Sequence, residues 1–102
     1  MKIINYTPHA INETTSGRTF PPSGNIARVA STSIPAGNLD GIPVVTSTFG
    51  EVEGLPEPQQ DVAIIVSGMV LDACKGRFDL IAPGELVRDE GGNPIGCKGF
   101  RI

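Results

Sequence analysis

Glycine and proline punctuate this chain so densely that long regular elements have little room. Thirteen glycines and nine prolines in 102 residues favour short strands joined by turns, because glycine opens left-handed backbone and proline withholds an N–H. The pattern is clearest from Gly41 to Pro58, where a β-branched run, Val44 to Phe49, leads into an acidic, proline-punctuated exit, Glu51 to Pro58. This stretch divides the chain into two halves of one small sheet. The apolar residues are mainly Ile, Val and Ala, with no Trp, one Tyr and four Phe, so the core is expected to be aliphatic. A chain of this length can bury enough apolar surface to fold as one domain, residues 1–102, without metals or disulfides.

Taken in order, Lys2 to Asn12 reads as a strand interrupted at Pro8, since proline inside a strand belongs at an edge or bulge. Arg18-Thr19-Phe20 starts a second strand that stops at Pro21-Pro22. Ile26 to Ser31 has strand length and composition. Thr32 to Asp40, with Pro35, Gly37 and Asn38, reads as a mobile loop. Val44 to Phe49 then reads as a core strand that holds its neighbours in place, with Gly50 as a bulge or bend. Asp61 to Val66 is apolar after its first residue, the signature of a strand buried on both faces. Ser67 is placed to cap a short helix from Gly68 to Lys75, with Val70, Ala73 and Cys74 on its inner face and Gly76 as its stop. Phe78, Leu80 and Ile81 are expected to return the chain to the core before a turn at Pro83-Gly84. The end reads as a hairpin, Glu85 to Arg88 and Ile95 to Phe100 around Asp89 to Pro94. The predicted fold is mainly β with one short helix: a small antiparallel sheet or a partly open barrel of about six or seven strands.

The formal charge is −3 and the basic residues are scattered, which argues against a nucleic-acid polymer as partner, because phosphate backbones draw on clustered Lys and Arg. A small anion suits such a set better. No apolar run reaches the length of a signal segment or a membrane span, so a soluble, cytoplasmic protein is expected. Cys74 and Cys97 have no metal-type spacing, and a bridge between them is not expected in a reducing compartment. No metal or cofactor is called for by any motif.

His9 is the single histidine, which removes mechanisms that need two. In Thr7-Pro8-His9 a hydroxyl and an imidazole flank a fixed backbone, suited to a ligand or to backbone groups freed by Pro8. Pro22-Ser23-Gly24-Asn25, followed by Arg28, resembles an anion-cradling turn but lacks the lysine and spacing of a P-loop. Candidate ligand donors are therefore Thr7, His9, Ser23, Gly24 and Arg28, with Arg88 from the terminal hairpin. Glu51 and Glu53 would share a strand face, as an acid and base pair requires. An edge charged against strand pairing accounts for them equally well. With Leu55 and Glu57 they also form a candidate interaction loop over residues 51–60. Both cysteines read as core, and the Gly-x-Ser-x-Gly elbow of a serine nucleophile is absent.

Ile3 to Asn12, Phe-Pro-Pro-Ser-Gly at 20–24, Gly-Ile-Pro-Val-Val at 41–45, Phe-Gly-Glu-Val-Glu-Gly-Leu-Pro-Glu-Pro at 49–58 and Leu-Val-Arg-Asp with Ile-Gly-Cys at 86–97 resemble a family of short phage, prophage and bacterial proteins. The resemblance implies a compact accessory protein in a host cytoplasm and brings no activity with it. Three readings follow. The first is a non-enzymatic binding module, a homo-oligomer sequestering a small anionic or nucleotide signal of host defence. The second is a structural or protein-interaction protein using the 51–60 loop. The third, a small hydrolase using Glu51, Glu53 or His9, ranks last because no catalytic constellation is assembled.

Overall fold

The apolar run after Asp61 becomes the middle of the fold. The computed structural model describes residues 1–74 and 76–102. Its elements are β1 (Lys2–Asn5), β2 (Ile11–Glu13), β3 (Arg18–Phe20), β4 (Arg28–Leu39), β5 (Ile42–Glu53), β6 (Val62–Ile65), α1 (Gly68–Ala73), β7 (Leu80–Arg88) and β8 (Pro94–Arg101). Strand β6 pairs in parallel with β1 on one side and β7 on the other. Ile64 and Ile65, which point to opposite faces, are both buried, as a strand covered on both sides demands.

Six strands form one sheet in the order β1-β6-β7-β8-β2-β3. This sheet is nearly closed and barrel-like, the partly open barrel of the two expected forms. Its pairing is mixed: β1–β6, β6–β7 and β8–β2 are parallel, whereas β7–β8 and β2–β3 are antiparallel. The core is aliphatic, built from Ile64, Val66, Val70, Leu71, Leu80 and Ala82 with Ala27. Phe20 and Phe100 meet edge to face with centroids 5.8 Å apart, although β2 lies between their strands.

Helix α1 starts as predicted, with Ser67 Oγ accepting from the Val70 N–H at 3.2 Å. It ends at Ala73, one residue before the Cys74 cap; the predicted end at Lys75 lies outside the described residues. Val70 and Leu71 are its buried pair, while Ala73 and Cys74 are half-buried. Both cysteines are free. Phe78 does not return to the core and is 80% exposed. The chain joins the sheet only at Asp79, whose carbonyl accepts from the Ile64 N–H at 2.8 Å. The Asp79 carboxylate is buried and takes a two-point fork from Arg77, 2.9 Å from Nε and 2.6 Å from Nη2. No turn forms at Pro83-Gly84, because β7 runs straight through and places Pro83 opposite Phe100. Strand β6 has ended by Ile65, so no ladder on that side needs the N–H that Pro83 lacks.

The largest departure from expectation is the middle of the chain. Thr32 to Asp40 is not a loop and Val44 to Phe49 is not a core strand. Strands β4 and β5 form a two-stranded sheet of their own, and every residue from Ala30 to Glu51 is exposed. Asp40 and Gly41, at φ +52° and +77°, make the two-residue turn whose twist matches a hairpin. A register shift at Ala36 accommodates Pro35 and Gly37 within the ladder, and a second one, at Gly50 and Glu51, is the bend expected there. Val29, Val52 and Leu55 anchor the base of this arm against the core. The Cα radius of gyration is 16.2 Å, against about 13 Å for a compact domain of this length. Among the described residues no helix is long and apolar enough to cross a membrane.

Candidate functional site

Asn5, at the end of β1, draws together half of the residues proposed as ligand donors. Its Nδ2 donates to the His9 carbonyl at 2.7 Å and to the Phe20 carbonyl at 2.9 Å. Its Oδ1 accepts from the Thr7 N–H at 2.9 Å and stands 2.6 Å from the Thr7 hydroxyl. That hydroxyl also lies 3.0 Å from the His9 carbonyl oxygen, so its single proton is held between two acceptors. The N–H and hydroxyl of Ser23 both donate to the Asn5 carbonyl, at 3.0 and 2.6 Å. The groups freed around Pro8 are thus partnered within the fold. Thr7 and Ser23 have their polar atoms taken up by structure, and Gly24 is the exposed turn beside them.

The two arginines stand elsewhere. Arg28 is exposed at the base of the arm, in register with Glu53. Arg88 donates from Nη1 to the Gly92 carbonyl at 2.8 Å and closes its own hairpin turn. The His9 side chain borders a shallow cleft of about 410 Å³, whose lining includes Ile11, Asn12, Leu86, Ile95 and Cys97. This lining holds no basic side chain except His9, and burial pushes the Cys97 thiol up from its ordinary range, away from the thiolate form that a nucleophile needs.

The acidic loop also divides. Glu51 and Glu53 are exposed on β5, Leu55 is a core anchor, and Glu57 is exposed beyond it. Glu51 and Glu53 share a shallow surface depression with Arg28, Val29 and Ala30. Among the described residues no group of three or more His, Cys, Asp or Glu side chains gathers to hold a metal. Every buried side-chain nitrogen and oxygen among them has a partner.

Six exposed large apolar residues, Ile34, Leu39, Ile42, Val44, Val45 and Phe49, gather on the arm. Pairs that face each other across its ladder share a face. Leu39 with Ile42, Gly37 with Val44, Ile34 with Thr46, and Thr32 with Thr48 line one side. Pro35 with Val45, Ser33 with Ser47, and Ser31 with Phe49 line the other. Leu39 is 71% exposed, Ile42 64% and Val45 58%. From Val29 to Gly50 the only charged residue is Asp40, at the tip. The sequence reading missed this surface by assigning its β-branched residues to the core; the Asp-Gly pair and the missing charges were the available signals.

No family model, curated protein or solved structure matches the chain.

Proposed function

We propose that the protein is a non-enzymatic interaction module whose β4–β5 arm docks against another protein surface. The observation that carries this is an exposed ribbon bearing Ile34, Leu39, Ile42, Val44, Val45 and Phe49 with one charge, Asp40, along its projecting length. A lone two-stranded hairpin is at best marginally stable in water. Natural free ribbons are usually guarded by charges, lysine above all, and this one is not. A partner that covers the arm resolves both problems. The contact surface thus moves from residues 51–60 to the arm, and Glu51, Glu53 and Glu57 become the charged rim at and beyond its base. The motif resemblance adds a phage or prophage accessory setting in a host cytoplasm to this proposal.

The small-anion reading finds less support, because Thr7 and Ser23 serve Asn5 and neither arginine lines the cleft beside His9. Linear and cyclic nucleotides are expected to leave the melting temperature unchanged; a rise abolished by Arg28→Ala would favour that reading instead.

The test is affinity capture of the full chain against the double variant Ile34→Lys, Val44→Lys, with circular dichroism to show that both are folded. The variant is expected to lose a bound macromolecule, copies of the same chain included. Identical capture by both chains would sink the proposal.

A further inference from the structure

We propose that the surface seated on the arm is the arm of a second copy of this chain, packed face to face about a two-fold axis. This rests on the arm being a docking surface and names its occupant. The first support is area. The chain exposes 6937 Å², whereas a compact protein of its mass exposes about 5,500 Å². The excess, about 1,400 Å², is more than the roughly 800 Å² that each partner contributes to a standard interface. Half of that excess, about 700 Å² for one face of the arm, comes close to this standard, so one face can furnish most of a dimer's contact.

The second support is charge. Apart from Asp40, every charged residue of the chain falls outside Val29 to Gly50, so the arm is the one extended stretch whose chemistry matches an uncharged arm. An isologous contact, in which one patch meets itself, satisfies that match without a further partner. Edge-to-edge extension is disfavoured, since each strand of the ribbon carries a proline, Pro35 and Pro43.

The third support is shape. On one face Leu39, Ile42, Val44 and Ile34 follow one another without a polar break, whereas on the other Val45 and Phe49 are separated by the Ser33–Ser47 pair. In the middle of the aliphatic face Val44 stands beside Gly37, and a side chain built at Gly37 would meet nothing within 4 Å. A two-fold axis lying in the contact plane and running across the strands through this point sets the two Val44 side chains against each other, beside the open space over Gly37. It also brings Ile34 of each arm against Leu39 and Ile42 of its mate.

Light scattering on the full chain tests this, together with three variants whose secondary structure is checked by circular dichroism. The wild type is expected at twice the chain mass. Ile34→Glu and Ile42→Lys, each alone, are expected to run as monomers, with self-association weakened about a hundredfold or more by a buried unpaired charge. Mixed together, these two are expected to regain the double mass, because the new charges meet only across two copies. Val45→Lys, on the opposite face, is expected to stay dimeric. A wild type that is monomeric up to about 0.1 mM, a mixture that stays monomeric, or a dimer that survives both single changes would overturn the proposal. If the wild type is monomeric while the arm variant still loses a captured protein, the docking reading stands and only the second copy falls. If mass and capture are both insensitive to the arm, both fall.

Discussion

Asn5 ties the two edges of the six-stranded sheet together with one side chain. Strands β1 and β3 lie at opposite ends of the strand order, yet Asn5 on β1 donates to the Phe20 carbonyl on β3, and Ser23 returns two bonds to the Asn5 carbonyl. Removing that amide takes this donor from the buried Phe20 carbonyl and leaves the buried Thr7 N–H without its acceptor. We therefore expect Asn5→Ala to cost about 3 kcal/mol, read as a fall in melting temperature of more than about 10 °C. Glu13 does the corresponding work where β2 meets β8, a seam with a single ladder pair, Glu13 with Cys97. Its carboxylate accepts from the Thr15 hydroxyl at 2.5 Å, the Gly99 N–H at 2.7 Å, the Thr15 N–H at 2.9 Å and the Ser16 N–H at 2.6 Å. These donors, the Thr15 hydroxyl foremost, hold its carboxyl far below the ordinary value of 4.5. A carboxyl depressed in the fold stabilises fully above its unfolded value and less as pH falls toward the folded one. Stability measured by urea is expected to decline below about pH 4.5, and Glu13→Gln is expected to flatten that part of the profile while lowering stability at neutral pH. An unchanged acid limb in the variant would assign the decline to other carboxylates. Neither role was legible in the sequence. Asn5 sits in an apolar strand and Glu13 in a polar run, and only the closure of the barrel gives their side chains partners up to 86 residues away.

At the scale of elements, what could be read was set by whether local pattern and tertiary packing agree. The strand over Arg18 to Phe20, the buried run of β6, the Ser67 cap and the terminal hairpin follow from residue type and periodicity, and the fold keeps them, with β6 trimmed at both ends, the hairpin's first strand lengthened back to Leu80 and its second starting at Pro94. The arm failed because β-branched composition signals a strand without saying what covers it. Val44 to Phe49 is a strand, but the sheet it belongs to has only two members. The point where the arm leaves the body depends on Gly54, which has φ +92° and whose added Cβ would collide with the Ile26 carbonyl oxygen. An alanine there meets both a strained backbone and an immovable neighbour. Gly54→Ala is expected to cost about 2–3 kcal/mol and to detach Val52 and Leu55 from the core. The check is the urea midpoint together with faster hydrogen exchange across β4 and β5; protection equal to that of the wild type would show that the arm is not held by this turn.

For the molecule as a whole, the shape and the chemistry of the surface belong to one problem. A body closed by polar staples holds the aliphatic core, while a ribbon with no core of its own projects from it to give principal extents of 50 × 40 × 21 Å. The body can account for a folded monomer, but it contributes little to keeping the outer half of the ribbon paired, because only Val29 and Val52 of the two arm strands pack against the core. On the dimer proposal, stability of the outer arm comes from association, and association obeys mass action. If two arms complete each other, a tenfold rise in protein concentration adds about 1.4 kcal/mol per dimer. Shared between two unfolding chains, this raises the melting temperature by roughly 3–5 °C. The measurement is a set of thermal melts across two decades of concentration. A rising midpoint in the wild type and a flat one in Ile34→Glu is the expected pair. Coincident melts at every concentration in the wild type would mean that the ribbon holds together without a second copy.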